Sequence, residues 1–226
     1  MLLLFDIDGT LLSTQGAGTR AMREVAIDMF GDEFKWEGVS PGGNLDPLIF
    51  KQAVELNGID PADELHDTFR NNYVAHLRNQ IESSQIEVEV FPGIFDILET
   101  LRTRTDVTLG VLTGNYPASS RMKLRHANID PDWFAITAYG DEAPTRAELV
   151  ALAMDKYEAL HNTPIEPHRV IVIGDTTRDI DCARANGCIA FIVETGWSPT
   201  KELRAANPDH LVVDLADPEP LLNLIK

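Results

Sequence analysis

The stretch Leu2-Leu3-Leu4-Phe5-Asp6-Ile7-Asp8-Gly9-Thr10-Leu11-Leu12 decides the fold. It opens with four apolar residues, which is typical of a short strand buried on both faces of a sheet. Asp6 and Asp8 follow at the carboxyl end of that strand, where open α/β sheets bind their ligands. Gly9 lets the backbone turn sharply just after the two carboxylates. Taken alone, the stretch is also compatible with an Asp-Gly turn that only closes a strand.

The rest of the chain alternates between apolar runs and helical patterns. The runs after the first are Val107–Leu112, Ala135–Ala138, Val170–Ile173, Ile189–Val193 and Leu211–Val213. From residue 94 onward they are separated by segments with apolar residues at three- and four-residue steps, namely Ile94–Leu101, Ala118–Ala127, Arg146–Leu160 and Arg178–Ala185. This alternation predicts an α/β fold with a doubly wound, Rossmann-like parallel sheet.

One region departs from the alternation. Between about residues 16 and 87 the pattern is only helical, with candidate helices Thr19–Phe30, Pro47–Asn57 and Pro61–Ile81. Pro61 suits the first turn of the third helix, with Asp60 before it as a cap. We therefore predict an inserted α-helical cap domain at 16–87, and an α/β core formed by 1–15 and 88–226.

The charge and cysteine content of the chain exclude several classes of binding partner and metal site. The 226 residues include 19 basic and 36 acidic ones, a net charge of −17. Such a surface repels nucleic acid and anionic lipid, so neither is expected as a partner, and an anionic substrate would need local positive charge in its site. Cys182 and Cys188 form no CxxC pair, which argues against structural zinc and a disulfide framework. The first apolar run is too short for a signal peptide or a membrane span, so a cytoplasmic location is expected. We also expect a monomer or weak dimer.

Two other strands are also followed by polar clusters. Leu112-Thr113-Gly114-Asn115 offers a hydroxyl and a glycine amide to an anionic oxygen, although a helix cap with a turn would have the same sequence. Gly174-Asp175-Thr176-Thr177-Arg178-Asp179 offers two carboxylates of the kind that bind Mg²⁺, although a capped helix start is an equal alternative. Arg146, which opens a predicted helix, is a candidate cation, with Lys123 and Lys156 as competitors.

The joint order of aspartate pair, threonine, cation and aspartate pair resembles the haloacid dehalogenase-like (HAD) hydrolase superfamily. The similar branch holds the phosphoglycolate phosphatases and β-phosphoglucomutases, which carry a helical cap after the first motif. The resemblance spans essentially the whole chain, and Asp6–Leu11 and Gly174–Ile180 are its most specific parts. Many relatives have a Lys followed by Pro where this chain has Arg146, so the identity of the cation stays open.

The resemblance implies a role for each motif. Asp6 would attack phosphorus, and Asp8 would protonate the leaving alcohol and later take a proton from water. Mg²⁺ would be held by Asp6, the backbone carbonyl of Asp8 and Asp175, with Asp179 orienting that shell or binding through water. The transferring oxygens would be held by Thr113, Gly114, Asn115 and Arg146. Asn44, in the loop Ser40–Asp46 that resembles the family's specificity loop, is the candidate for substrate contact, although a turn that caps the next helix is an equal alternative.

The implied activity is a Mg²⁺-dependent phosphatase that hydrolyses small phosphate monoesters, such as phosphoglycolate or sugar phosphates, through an aspartyl-phosphate. A phosphomutase of the same branch is the nearest alternative. A dehalogenase is less compatible, because that chemistry does not need Asp8. A phospho-accepting receiver domain and an inactive binding protein on the same fold are more remote alternatives.

Overall fold

The computed structural model describes residues 1–225 and contains two sheets. The strands are β1 (Leu2–Phe5), β2 (Leu12–Ser13), β3 (Glu89–Val90), β4 (Thr108–Leu112), β5 (Ile136–Ala138), β6 (Val170–Gly174), β7 (Ile189–Val193) and β8 (His210–Val212). Six of them form a parallel sheet in the order β5-β4-β1-β6-β7-β8, while β2 and β3 form a separate antiparallel pair. The predicted α/β fold with a parallel sheet is confirmed.

Helices cover both faces of the large sheet. They are α1 (Ala17–Phe30), α2 (Asp46–Leu56), α3 (Asp63–Glu82), α4 (Ile94–Arg102), α5 (Pro117–His126), α6 (Arg146–His161), α7 (Thr177–Ala185), α8 (Thr200–Ala206) and α9 (Glu219–Leu222). Side chains of β1 alternate between the two faces: Leu3 and Phe5 pack with α4 and α5, whereas Leu2 and Leu4 pack with α6 and α7. The sheet is therefore doubly wound, and its strands are apolar throughout because both faces are buried.

Helices α1–α3 form the cap, which has a hydrophobic core of its own. Phe50, Phe69 and Leu77 are among its buried residues. The cap and the α/β core also pack against each other. Leu45, in the loop Ser40–Asp46 (the cap loop), packs in the cluster of β1 and β4, and Tyr116 of the core packs among the cap aromatics. A helical cap after the first strand is confirmed, and its bounds at 16–87 stay a prediction.

Three local features differ from the sequence-based expectation. Helix α3 begins at Asp63 with Ala62 in the N-cap position, so Pro61 and Asp60 lie before the helix. The β2–β3 pair is two residues long on each side, which is too short for a periodic pattern to reveal. Helices α8 and α9 were not predicted, because seven and four residues carry too little periodicity. In residues 1–225 no helix combines the length and the apolar character that crossing a bilayer requires.

Candidate active site

The register of the sheet brings the three polar clusters to one edge. Phe5 pairs with Val111 of β4 and with Ile173 of β6, so the residues that follow these strands emerge side by side. The Asp6 amide continues the ladder by donating to the Ile173 carbonyl at 2.9 Å. Asp6, Thr113 and Asp175 consequently meet at the carboxyl edge, which is where ligands bind in this class of sheet.

A buried cluster of three carboxylates lies at this edge. Asp6, Asp175 and Asp179 each offer one oxygen, and these oxygens all lie within 4.8 Å of one another. Burial raises the pKa of Asp6 to about 6, with Arg146 opposing the rise and Asp179 adding to it. Burial, followed by the neighbouring Asp179 and Asp6 carboxylates, also raises the pKa of Asp175 well above its usual range. Burial and the mutual repulsion of the carboxylates therefore both disfavour the ionised forms of Asp6 and Asp175.

Close packing fixes the orientation of Asp175. Its Oδ1 accepts a hydrogen bond from Thr10 Oγ1 at 3.2 Å, and its Oδ2 accepts one from the Trp197 amide at 2.7 Å. A Cβ atom at Gly9 or Gly196 would overlap the Asp175 carboxylate, so neither position has room for a side chain. Two features therefore require glycine at position 9. Its φ of 86° is a turn conformation that favours glycine, and the Asp175 carboxylate leaves no room for a side chain.

Asp179 has a different environment within the cluster. Its Oδ2 accepts hydrogen bonds from the Thr176 amide at 3.0 Å and from Thr176 Oγ1 at 2.6 Å, which forms the capping box of α7. Its Oδ1 accepts two hydrogen bonds from Arg146. Both oxygens are therefore occupied by protein donors, which fits a role in orienting the cluster better than direct metal ligation.

Arg146 is the cation of the carboxylate cluster. Its Nη2 lies 2.8 Å from Asp6 Oδ2, and its Nε and Nη2 donate to Asp179 Oδ1 at 3.0 and 2.5 Å. Nη1 points to the Gly43 carbonyl of the cap loop at 3.4 Å. Burial alone would lower the pKa of Arg146, but Asp179 and Asp6 raise it well above its usual range, so the guanidinium stays charged. Lys156 lies elsewhere, because its ammonium binds the Thr137 carbonyl and Glu142.

A second buried cation, Lys123, forms an ion pair with Asp8. Lys123 of α5 is 2% exposed, and its Nζ donates to Asp8 Oδ2 at 2.6 Å and to Asn115 Oδ1 at 2.8 Å. Asn115 Nδ2 donates to the same Asp8 oxygen at 2.7 Å and to Thr113 Oγ1 at 2.8 Å. The side chain of Asn115 is thus occupied by protein partners, and its predicted contact with phosphate stays a prediction.

A cavity of about 70 Å³ opens above these groups, between the core and the cap. From the core it is lined by Asp6, Asp8, Thr113, Gly114, Asn115, Lys123, Arg146 and Trp197, and from the cap side by residues including Gly18, Met22, Asn44, Asp46, Ile49 and Tyr73. Asp175 and Asp179 lie beneath it with no exposed surface. Except for these two buried carboxylates, the predicted site residues therefore all reach one cavity.

The cap loop is fastened to the core beside the phosphate-binding candidates. The Asp46 amide donates to the Gly114 carbonyl at 2.7 Å, and Asp46 Oδ2 accepts from the Tyr116 amide at 3.0 Å. Burial raises the pKa of Asp46 to about 7, although Lys123 and the Tyr116 amide oppose the rise. Asn44 lines the cavity, but its side chain bonds within its own loop, to the Ser40 carbonyl and the Leu45 amide.

Sequence reasoning did not identify Asp46, Tyr73 or Trp197 as site residues, and it treated Lys123 only as a competitor of Arg146. Lys123 did carry a signal, because it lies four and three residues after Ser119 and Ser120 on the small, buried face of α5. Trp197 lies in the loop after β7, and only the tertiary structure places it over the cavity beside Gly16 and Gly42.

Comparison with known proteins agrees with this geometry. The model of the family described as "Haloacid dehalogenase-like hydrolase" matches residues 3–193. The chain belongs to the haloacid dehalogenase-like hydrolase family. It is 25% identical over 224 residues to pyrophosphatase PpaX of Oceanobacillus iheyensis, which covers 95% of this chain and 93% of that protein. It is 24% identical over 223 residues to a phosphoglycolate phosphatase of Nitrosospira multiformis, which covers 97% and 94%.

Solved structures match over the full length as well. The structure of a β-phosphoglucomutase from Clostridium difficile superposes with a TM-score of 0.75 at 17% identity, covering 99% of this chain and 96% of that one. At this identity the likeness concerns the fold. The predicted family and its phosphoglycolate phosphatase/β-phosphoglucomutase branch are confirmed, and the chain is a HAD-like phosphatase-type hydrolase. Its relatives carry different substrate names, so they do not fix a substrate.

The carboxylate cluster suits a divalent cation of the Mg²⁺ type. Its donors are all hard oxygens, and they lie close enough together to share one ion. Three carboxylates lie together and Arg146 contacts two of them, so in their ionised forms they carry more negative charge than this one cation offsets. The residues present therefore fit the metal that the family implies.

Proposed function

We propose that this protein is a Mg²⁺-dependent phosphatase that hydrolyses small phosphate monoesters through an aspartyl-phosphate formed on Asp6. The observation that carries the proposal is the meeting of Asp6, Asp8 and a buried carboxylate cluster at one sheet edge. Asp6 and Asp8 lie two residues apart in the sequence but have different neighbours. Asp6 lies beside Arg146 and Asp179, whereas Asp8 binds Lys123 and Asn115. Two carboxylates in different environments can divide two chemical roles.

Asp6 is placed to act as the nucleophile. Its Oδ1 accepts a hydrogen bond from the Ile7 amide at 2.7 Å, which holds the carboxylate in one orientation at the floor of the cavity. Arg146 and Thr113 line the cavity beside it and would hold the oxygens of the phosphoryl group that reaches Asp6. Phosphoryl transfer depends mainly on such positioning and electrostatic stabilisation.

Asp8 is placed to act as the acid and base. Its Oδ2 is held by Lys123 and Asn115, and the side chain lines the cavity on the face that the cap covers. A leaving oxygen bound there would receive a proton from Asp8 in the first step. In the second step Asp8 would take a proton from the water that hydrolyses the aspartyl-phosphate.

Mg²⁺ would be held by Asp6, Asp175 and the backbone carbonyl of Asp8, with Asp179 acting through Arg146, Thr176 or a water. When bound, it supplies positive charge that lets a dianionic phosphate enter a site crowded with carboxylates. The chain provides the rest: Thr10 and the Trp197 amide orient Asp175, and α7 fixes Asp179 through its capping box.

The size of the cavity favours a small leaving group. It measures about 70 Å³ and is enclosed between the core and the cap. We expect this space to accept a phosphate ester with a small leaving group more readily than a nucleotide, whose nucleoside would require the cap to move away. Because Leu45 packs in the core cluster, such a movement would expose an apolar side chain.

A metabolite screen tests the proposal. Phosphate release is measured from phosphoglycolate, glucose phosphates, AMP and pyrophosphate, with Mg²⁺ or with EDTA, for the native protein, Asp6→Asn and the control Asp181→Asn. Asp181 lies exposed on α7, so its variant is expected to match the native protein. The proposal predicts Mg²⁺-dependent release from a small ester and none from Asp6→Asn. Equal release by Asp6→Asn would refute it, and an isomerised sugar phosphate without net phosphate release would identify a mutase.

A further inference from the structure

Lys123 is a buried cation that contacts Asp8 but transfers neither a proton nor a phosphoryl group in the proposed mechanism. It is one of the largest fully buried side chains of the described residues. Removing an ammonium from water is unfavourable unless partners compensate its charge. The metal and phosphoryl side of the site already has its own cation, because Arg146 contacts Asp6 and Asp179. Lys123 lies on the other side, against Asp8.

The partners of Lys123 form a closed triangle of hydrogen bonds. Lys123 Nζ donates to Asp8 Oδ2 and to Asn115 Oδ1, and Asn115 Nδ2 donates to Asp8 Oδ2. Both donors therefore converge on a single oxygen of the Asp8 carboxyl group. Among residues 1–225, Asp8 Oδ1 accepts no hydrogen bond, and the side chain keeps a quarter of its surface accessible toward the cavity. The triangle holds one oxygen and leaves the other for the reaction.

The geometry points to Lys123, together with Asn115, as a positioning residue that fixes the rotation of the Asp8 carboxyl so that Oδ1 performs the proton transfers. This inference rests on the proposed function, in which Asp8 is the acid and base. It gives the second cation of the site a role on the leaving-group side, separate from the role of Arg146.

The two proton transfers can be written atom by atom. In the first step a carboxylate oxygen of Asp6 bonds to phosphorus, the bond from phosphorus to the ester oxygen breaks, and the proton on Asp8 Oδ1 moves to that ester oxygen. In the second step water bonds to phosphorus, its proton moves to Asp8 Oδ1, and the bond between phosphorus and Asp6 breaks. Asp8 ends protonated, ready for the next substrate.

If the Asp8 carboxyl is misoriented, hydrolysis should slow most for substrates whose leaving group must be protonated. Phosphoglycolate releases an alkoxide, which needs the proton, whereas acetyl phosphate is of similar size and releases acetate, which is stable as an anion. General acid catalysis contributes about 10²–10⁴-fold in enzymes. Replacing Lys123 with the uncharged, similarly sized Met is therefore expected to lower kcat/KM for phosphoglycolate at least about tenfold, and for acetyl phosphate less than about threefold. The ratio kcat/KM is used because it covers only the steps through formation of the phosphoenzyme.

The experiment compares native protein, Lys123→Met, Asp8→Asn and the double variant, with glucose 6-phosphate replacing phosphoglycolate if it is the better substrate. Lys156→Met is the matched control, because Lys156 binds Glu142 and a carbonyl outside the cavity. If Lys123 acts through Asp8, the double variant is expected to be no slower than Asp8→Asn alone. Thermal unfolding of each variant shows whether it is folded.

Two results would overturn the inference. An equal loss of kcat/KM on both substrates would mean that Lys123 has a general structural role. Multiplying losses in the double variant would mean that Lys123 acts on the leaving group without Asp8. Both results leave the phosphatase proposal intact, because that proposal fails only if Asp6→Asn keeps its activity.

Discussion

Replacing Arg146 with Met is expected to destabilise the metal-free protein strongly, and more at high pH than at low pH. Arg146 is buried and makes ion pairs with Asp6 and Asp179. Its removal leaves two carboxylates beside Asp175 without their cation. Removing one partner of a buried ion pair costs about 3–5 kcal/mol.

The size of the effect in thermal unfolding follows from the length of the chain. For domains of this size, about 1 kcal/mol corresponds to a change in Tm of roughly 2–4 °C, so Arg146→Met is expected to lower Tm by about 6–20 °C. The pKa of Asp6 is already raised to about 6, and losing Arg146 removes the group that opposes the rise. A carboxyl group whose pKa is higher in the folded than in the unfolded state makes the free energy of unfolding fall as pH rises toward the folded-state pKa. The deficit is therefore expected to be larger at pH 8 than at pH 5.

Differential scanning calorimetry in EDTA at the two pH values measures this effect. Arg121→Met is the matched control, because Arg121 is largely exposed and lies 3.9 Å from Asp132, so its loss is expected to cost at most about 1 kcal/mol. Arg146→Lys is expected to fall between Met and native protein, since Lys keeps the charge but not the fork of donors. A deficit that is equal for Arg146→Met and Arg121→Met, or independent of pH, would refute the reasoning.

Three other variants test separate parts of the structure. Mg²⁺ at about 100 times its Kd is expected to stabilise the native protein by about 2.7 kcal/mol and to leave the Tm of Asp175→Asn unchanged; an equal rise in both would place the metal elsewhere. Asp46→Asn is expected to gain about 2.7 kcal/mol of stability relative to native protein as the pH rises from 5 to above 7, because the pKa of Asp46 is raised to about 7 and its charged form is disfavoured; a pH-independent difference in Tm would contradict this. Gly114→Ala is expected to lose activity, because its Cβ would overlap the Asn44 carbonyl and push the cap loop away; full activity would show that this contact is dispensable.

The core of the fold was predictable because its signal is local. β1 spans the apolar run Leu2–Phe5, and β7 spans Ile189–Val193, as their composition predicts. Strands buried on both faces are apolar throughout, and each is followed by the polar residues that reach the common edge. The same logic predicts that Asp6 and Asp175 lie at one edge of the sheet.

The parts that could not be predicted depend on contacts between distant segments. Ser119 and Ser120 indicate that Lys123 lies on a buried face of α5, but only the packing of α5 against the rest of the site brings it to Asp8. Asp46 appears as the start of a helix, and its hydrogen bond to the Tyr116 amide requires the cap to lie against the core. The predicted start of α3 at Pro61 was wrong. Proline is compatible with a first helical turn, but Pro61 lies in the loop before the helix.

The central claim is that Asp6 carries the phosphoryl group during turnover. The most direct measurement is acid quenching of the protein within milliseconds of mixing with acetyl phosphate and Mg²⁺, followed by mass spectrometric mapping of phosphorylated peptides. A transient phosphate on Asp6, which is absent in Asp6→Asn and decays as inorganic phosphate appears, is the expected result. Turnover with no phosphorylated peptide at any time, or with the phosphate on another residue, would contradict the account.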